Sequence, residues 1–266
     1  GGRPPLFVRG PLRGGNAVVD ASETSQHVSG LLIALPVCEA DTDLEIRDLR
    51  STPYVRLTLQ LMGRFGVQVE ADDDLRHIHV PGNQVYRPIN LTAEGDWSGA
   101  TFPLVAGALA GHVSVTGLDL NSAQADRRIL EALELAGADV AASDHAVIVR
   151  RADLRAFDFD ATDCPDLFPP LVALAVHADG TSRIHGCTRL RHKESDRAAV
   201  LAGEFSGLGA RITVDGDVME VQGGPLGGGS VDSHGDHRIA MAASVAALAA
   251  DAPVEVLGPE CVAKSY

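Results

Sequence analysis

Residues 129–140 read ILEALELAGADV, an amphipathic helical stretch that stops at a glycine and continues into a β-like segment. The same pattern occurs as LTLQLMGRFGV at 57–67 and as VLAGEFSGLGARI at 200–212. In each copy the apolar residues recur at helical spacing. The glycines that end the three copies lie 71 and 72 residues apart. Regular spacing of this kind indicates a chain built from repeated structural units.

Two further features keep nearly the same period. Short alternating strands begin at steps of 69, 69 and 72 residues, near Leu44, Val113, Ser182 and Val254. A strand that runs into a polar loop and an apolar helix begins four times, near residues 19, 91, 159 and 231. Closing hairpins are predicted at 71–80, 141–149 and 213–221. The sequence therefore predicts an α/β fold of repeated βαβαββ units, about three complete and one cut short.

Composition limits the class of protein. With 266 residues, 45% of them hydrophobic, the chain can form one large core or two modest ones. A net charge of −14 argues against nucleic acid as the main partner. No apolar run approaches the ~20 residues of a membrane span. The first residues also lack the order of a signal peptide, so we interpret the protein as cytoplasmic and expect no membrane partner.

Cofactor motifs are missing from the sequence. The four cysteines form no CxxC pair, and the His77-x-His79 and His234-x-x-His237 pairs have no framing ligands, so we expect no metal. Neither GxGxxG nor a P-loop occurs, so we expect no nucleotide cofactor.

Unusual polar residues gather in the loops that lead from each strand into a helix. Free amides at a helix start, together with the helix dipole, favour an anion, and arginine adds a planar fork that suits phosphate or carboxylate. A single serine or aspartate before a helix is more often a cap, worth about 1 kcal/mol. The recurrence of such loops on one period favours a shared anion site.

The densest of these loops reads Lys193-Glu194-Ser195-Asp196-Arg197, and it holds one of only two lysines beside 20 arginines. Its spacing predicts Lys193 and Arg197 on one helix face, with Glu194 paired to Arg197. A solvated, salt-bridged helix start is the alternative interpretation. Arg238 opens an apolar helix and needs an anionic partner, either a ligand or a structural aspartate.

These loops resemble those of the EPSP synthase family, the 3-phosphoshikimate 1-carboxyvinyltransferases. The matching stretches run through the whole chain: Thr24-Ser25-Gln26, Ser51-x-Pro53-Tyr54, Gly95-Asp96-x-Ser98, Pro165-Asp166, residues 193–197, Asp236-His237-Arg238-x-Ala240-Met241 and Cys261-x-Ala263-Lys264. The resemblance implies two domains built from six βαβαββ units. Residues 1–92 would belong to the shikimate 3-phosphate side and residues 93–266 to the phosphoenolpyruvate side.

The resemblance also implies the reaction. An enolpyruvyl group would pass from phosphoenolpyruvate to the 5-hydroxyl of shikimate 3-phosphate by addition and elimination, releasing phosphate without metal or organic cofactor. This is a step of aromatic amino acid biosynthesis. The substrates would be small molecules, and the protein a monomer.

Roles for individual residues follow from the same resemblance. Asp166 would take the proton from the attacking hydroxyl, and Glu194 would protonate the methylene carbon. Lys193 would bridge the shikimate hydroxyl region and the reacting centre. Shikimate 3-phosphate would be held by Thr24, Ser25, Gln26, Ser51, Tyr54, Asp166 and Lys193. Phosphoenolpyruvate would be held by Gln26, Arg197, Arg238 and Lys264. All of these side chains are expected to meet in one positively charged crevice.

Some features depart from the family pattern. Thr24 stands where the family usually has serine, and Arg189 where many relatives have asparagine. The family's N-terminal region and last helix are absent, so we interpret the chain as a fragment with little or no activity alone. Three alternatives remain: a UDP-N-acetylglucosamine enolpyruvyl transferase, a non-catalytic anion-binding scaffold and a purely structural repeat protein.

Overall fold

The computed structural model describes residue 5, residues 7–191 and residues 193–266. The chain divides into two compact units, Gly1–Leu91 and Thr92–Tyr266. The sequence had placed the domain boundary after residue 92. No helix in the described ranges is long and apolar enough to cross a membrane.

The first unit is a single βαβαββ repeat. Its sheet has the order β1 (Gly15–Asp20), β2 (Thr42–Arg47), β4 (His77–Val80) and β3 (Glu70–Ala71), and its helices are α1 (Gln26–Ala34) and α2 (Thr52–Arg64). Strands β1 and β2 are parallel, so the loops that follow them leave the sheet at the same edge. Alternate residues of β2 are buried, and they pack with the apolar face of the two helices into one core.

The second unit carries the remaining repeats. Its strands are β5 (His112–Thr116), β6 (Asp139–Ala142), β7 (Ala146–Arg150), β8 (Asp158–Asp160), β9 (Thr181–His185), β10 (Arg211–Asp215), β11 (Val218–Gln222), β12 (Gly229–Asp232) and β13 (Val254–Leu257). They form three sheets with the orders β5-β7-β6, β10-β11-β9-β8 and β12-β13. The β8–β9 and β12–β13 pairs are parallel.

The helices of the second unit are α3 (Trp97–Ala110), α4 (Ile129–Leu135), α5 (Phe168–Ala175), α6 (Arg197–Gly207) and α7 (His237–Ala246). Helices α3, α5 and α7 pack against one another. Every residue of α5 is buried, because its sequence FPPLVALA is apolar on all faces. These three helices therefore form the centre of the unit, and their first residues become neighbours.

The structure confirms the three predicted hairpins, which are the antiparallel pairs β3–β4, β6–β7 and β10–β11. The strand predicted near Leu91 is wrong, since no strand forms in the stretch between β4 and α3, all of which the structure describes. One hydrogen bond of the expected ladder remains, from Gly95 N to Gly117 O at 2.8 Å, where the next repeat has Ala161 N to His185 O at 3.0 Å. Alternating apolar residues indicate an apolar face, but they do not supply a partner strand.

Candidate active site

Three loops of the second unit bring their polar residues together. One loop follows β8 and leads through a 3₁₀ helix (Pro165–Leu167) into α5, one follows β9 and precedes α6, and one follows β12 and precedes α7. Helix α5 contacts both α6 and α7. This packing places Asp166, residues 193–197 and residues 236–238 in one cluster.

Arg197 is the centre of that cluster. It is the first residue of α6 and is only 1% exposed. Its Nε donates to Asp236 Oδ2 at 2.7 Å, its Nη1 to Asp166 Oδ1 at 2.7 Å, and its Nη2 to Glu194 Oε2 at 2.6 Å. Three carboxylates from separate loops thus meet on one guanidinium group. A buried charge needs such partners, because an unpaired ion in an apolar interior is very costly.

Asp166 receives further positive charge. Lys193 Nζ lies 3.3 Å from its Oδ1, and Arg238 Nη2 lies 3.4 Å from its Oδ2. Burial alone would raise the pKa of Asp166, but Arg238, Lys193 and Arg197 together hold that pKa well below its ordinary value. Asp166 is therefore ionised, and its two oxygens hold three cations in place.

Asp236 links two of the three loops of the cluster. This fully buried residue is the N-cap of α7, accepting a hydrogen bond from Arg238 N at 3.0 Å, and it also accepts from Ser195 Oγ at 3.1 Å. Burial would raise the pKa of Asp236, but the hydrogen bonds from Arg197 outweigh it and lower that pKa. One carboxylate thus joins the start of α6 to the start of α7.

The first unit places its predicted site residues at one edge of its sheet. Thr24, Ser25 and Gln26 lie where α1 begins, and Thr24 Oγ1 accepts from Gln26 N at 3.2 Å. Ser51 and Tyr54 lie at the start of α2. A hydrogen bond from Thr58 Oγ1 to Ser29 Oγ, at 3.1 Å, links the two helices. Both loops follow parallel strands, so they share one edge of the sheet.

Ser51 has a strained backbone. Its φ of 54° and ψ of 45° lie in the left-handed region. A non-glycine residue held there costs about 1–3 kcal/mol, and such strain clusters at functional sites. The side chain of Ser51 is buried at the start of α2.

Comparisons with known proteins fit this geometry. A sequence model of the family described as EPSP synthase (3-phosphoshikimate 1-carboxyvinyltransferase) matches residues 1–266. The chain belongs to the EPSP synthase family.

Two relatives show how much of such a protein is present. The 3-phosphoshikimate 1-carboxyvinyltransferase of Clostridium kluyveri is 38% identical over 267 residues, and that of Aeropyrum pernix is 42% identical over 267 residues. Both alignments cover 100% of this chain, which spans 62% of each relative.

Solved structures show the same fold. An EPSP synthase from Acinetobacter baumannii superposes with a TM-score of 0.79 at 26% identity, covering 96% of this chain and 60% of that one. The enolpyruvyl transferase NikO from Streptomyces tendae superposes with a TM-score of 0.70 at 20% identity, covering 95% and 61%, which bears on the fold alone. The predicted α/β fold of the enolpyruvyl transferase type is confirmed.

The EPSP synthase motif around Lys193 differs from its predicted local structure in one respect. Lys193 and Arg197 do not share a helix face, because α6 begins at Arg197 and Lys193 lies in a bend before it. The two cations still meet at Asp166 Oδ1. The predicted pairing of Glu194 with Arg197 is confirmed.

Two residues of the cluster had no predicted role. Asp236 is the partner of Arg197, and Ser98 Oγ accepts a hydrogen bond from Arg238 Nη2 at 2.7 Å. In the structure, the anionic partner of Arg238 is Asp166. Both missed residues lie inside stretches that carry the family resemblance, which was the available signal.

Lys264 lies apart from this network. It ends a 3₁₀ helix (Pro259–Lys264) that follows β13, and its side chain is exposed. Within the described residues it makes no hydrogen bond or ion pair. Because β12 and β13 are parallel, its loop and the loop of Arg238 leave their sheet at the same edge. A meeting of Lys264 and of the first unit's residues with the Asp166 cluster stays a prediction.

Proposed function

We propose that this chain serves in the transfer of an enolpyruvyl group from phosphoenolpyruvate to the 5-hydroxyl of shikimate 3-phosphate, with release of phosphate. The observation that carries the proposal is the contact of Asp166 with Lys193, Arg197 and Arg238. Glu194 lies in the same cluster. Anion binding alone needs cations, whereas two carboxylates among them suit proton transfer beside a bound phosphate ester.

Phosphoenolpyruvate would bind at the cations of this cluster. Arg238 and Lys193 keep 14% and 27% of their side chains exposed, so both can turn toward an anion. For Arg197, hydrogen bonds to described residues use four of its five N–H groups. The fifth, on Nη1 beside Asp166, is the one we assign to the substrate. Arg197 would then hold all three carboxylates and contact the anion.

Binding would also change the strength of the base. The three cations lower the pKa of Asp166, and this makes it a weak proton acceptor in the free chain. An anion bound to Arg238 and Lys193 would offset their positive charge and raise the pKa of Asp166. Asp166 would therefore become a stronger acceptor for the proton of the 5-hydroxyl only when phosphoenolpyruvate is bound.

Shikimate 3-phosphate is assigned to the first unit. Thr24, Ser25, Gln26, Ser51 and Tyr54 offer hydroxyl and amide groups at two adjacent helix starts, a combination that suits a phosphate ester. The strained Ser51 supports a binding role for that loop. The first unit would thus serve the acceptor and the second unit the donor.

Calorimetric titration of phosphoenolpyruvate tests this assignment, with Arg238→Gln as the variant. Loss of one charged hydrogen-bond donor is expected to weaken binding by about tenfold or more. Arg183→Gln is the matched control, because Arg183 is an exposed residue of β9 paired with Glu220. Its binding should equal that of the unchanged chain.

Acceptor titrations complete the test. Shikimate 3-phosphate should bind, and UDP-N-acetylglucosamine should not. Binding of the UDP-sugar in place of shikimate 3-phosphate would favour the other enolpyruvyl transferase reaction. Unchanged phosphoenolpyruvate affinity in Arg238→Gln would contradict the assigned site.

A further inference from the structure

Asp126 is a buried carboxylate that the proposed reaction does not use. It lies in a 3₁₀ helix (Ala125–Arg128) before α4 and is 1% exposed. Neither of its oxygens has a hydrogen-bond partner of normal geometry among the described residues. Its counterpart in the next repeat, Asp196, accepts a hydrogen bond from Ala199 N at 3.3 Å and caps α6. The repeat therefore does not by itself explain a buried, unpartnered carboxylate at this position.

The surroundings of Asp126 connect it to the anion site. Ser98, which receives the hydrogen bond from Arg238, approaches the Asp126 carboxyl, and the charges of Arg238 and Asp166 act on it. The charged and titratable groups that act on it come from three other elements: Asp96 before α3, Cys164 and Asp166 before α5, and Arg238 in α7. Its own 3₁₀ helix and the start of α4 also carry Arg127, Arg128 and Glu131. Asp126 thus interacts with Arg238, one of the cations that we assign to the anion.

The charge of the cluster makes this position consequential. Lys193, Arg197 and Arg238 balance Asp166, Glu194 and Asp236. An ionised Asp126 adds a negative charge to that balanced set, whereas a protonated Asp126 leaves it neutral. A neutral cluster admits an anion more readily, because like charges in a poorly solvated site repel strongly.

We propose that Asp126 is a positioning residue of the anion site, which takes up a proton when an anion binds at Arg238. When ionised, it attracts Arg238 inward toward Ser98 and opposes the anion. When protonated, it releases Arg238 to the anion. The inference rests on the proposed function only for the identity of the natural anion.

The expected direction follows from the titration of this group. Burial raises the pKa of Asp126 to about 6, and the negative charge of Asp166 adds to that rise. The protonated form is therefore populated below about pH 6 and lost above it. Since the protonated form favours the anion, anion affinity should fall as the pH rises through this range.

Sulfate is the suitable probe, because it stays a dianion across the whole range while phosphate esters titrate within it. The 266-residue chain would be titrated with sulfate at pH 5, 6 and 8 at constant ionic strength, alongside Asp126→Asn and Asp163→Asn. Asp163 is exposed and precedes Cys164, so its variant removes an equal charge from the same region without touching the buried group. Fluorescence of the buried Trp97 checks that each variant is folded.

The unchanged chain and Asp163→Asn should lose about tenfold in sulfate affinity from pH 5 to pH 8. This is the change expected if sulfate binding raises the pKa of Asp126 by about one unit. Asp126→Asn should lose little, and should bind sulfate more tightly than the unchanged chain at pH 8. The difference between the two chains cancels the pH effects that they share.

Two results would overturn the inference. If sulfate binds but Asp126→Asn keeps the full pH dependence, Asp126 has no such role and the proposed function stands. If no folded chain binds sulfate even at pH 5, the anion site itself is refuted, and with it both proposals.

Discussion

The ion pairs of Arg197 should contribute several kcal/mol to the free energy of unfolding of the second unit. Asp236→Asn keeps a residue that caps helices as well as aspartate does, but it removes the charge that pairs with Arg197. Breaking a buried ion pair on one side typically costs about 3–5 kcal/mol. Because Arg197 retains Asp166 and Glu194, we expect the low end, about 3 kcal/mol.

The double variant separates pairing from packing. Arg197→Met combined with Asp236→Asn removes both charges, so it should be destabilised by less than the sum of the single variants. The expected coupling free energy is about 2–3 kcal/mol. The control cycle uses Arg183 and Glu220, a pair with 59% and 39% of its side chains exposed, whose coupling should stay below about 1 kcal/mol.

Urea unfolding followed by Trp97 fluorescence measures both cycles. Trp97 is the only tryptophan, it is fully buried at the start of α3, and its Nε1 donates to Asp119 O at 3.0 Å. It therefore reports the unfolding of the second unit. A coupling at Arg197 and Asp236 no larger than that of the control pair would refute the reasoning.

Three further predictions concern stability. Because burial raises the pKa of Asp126 to about 6, Asp126→Asn should raise the free energy of unfolding by about 3 kcal/mol at pH 8. At pH 4 the gain should be less than about 1 kcal/mol. Equal gains at both pH values in urea titrations would contradict this. Asp166→Asn should destabilise the chain at pH 7, and because the pKa of Asp166 is lowered from 3.8, the difference should shrink as the pH falls below about 4; acid titrations of Trp97 fluorescence would show a constant difference if the idea is wrong. Gly186→Ala should lower the free energy of unfolding by about 1–3 kcal/mol, because the φ of Gly186 is 97° and a Cβ there would lie 2.7 Å from the Thr162 backbone. Gly203→Ala, at a position in α6 with open space around it, should raise that free energy by about 1 kcal/mol. Thermal melts that rank the two variants alike would count against this account.

Local pattern predicted most of the elements. The period of roughly 70 residues located the hairpins and the helices that follow the polar loops, since helix and strand periodicities depend on near neighbours in the chain. It failed near Leu91, where an apolar alternation has no ladder to join, and at Lys193, where the helix begins four residues later than the spacing suggested. In both places the secondary structure depends on tertiary contacts, which the spacing of residues in the sequence does not specify.

The candidate site was predicted as a set of loops rather than as a network. The motifs named Asp166, Glu194 and Arg197 individually, and their residue types implied an anion site. The spacing of the motifs did not indicate that Arg197 is buried or that Asp236 is its partner. Asp126 could not be distinguished from a helix cap, because its repeat counterpart Asp196 is one.

The amino-acid sequence by itself determined the repeat, the positions of most helix starts and the membership of the family, because these depend on short-range periodicity and on motifs. Only the tertiary structure decided which charges meet. Asp166 and Asp236 reach Arg197 across 31 and 39 residues, and Ser98 reaches Arg238 across 140. Those distances close because the apolar helices α3, α5 and α7 pack together and α6 packs against α5 and α7, which brings the polar first turns of these helices to one place.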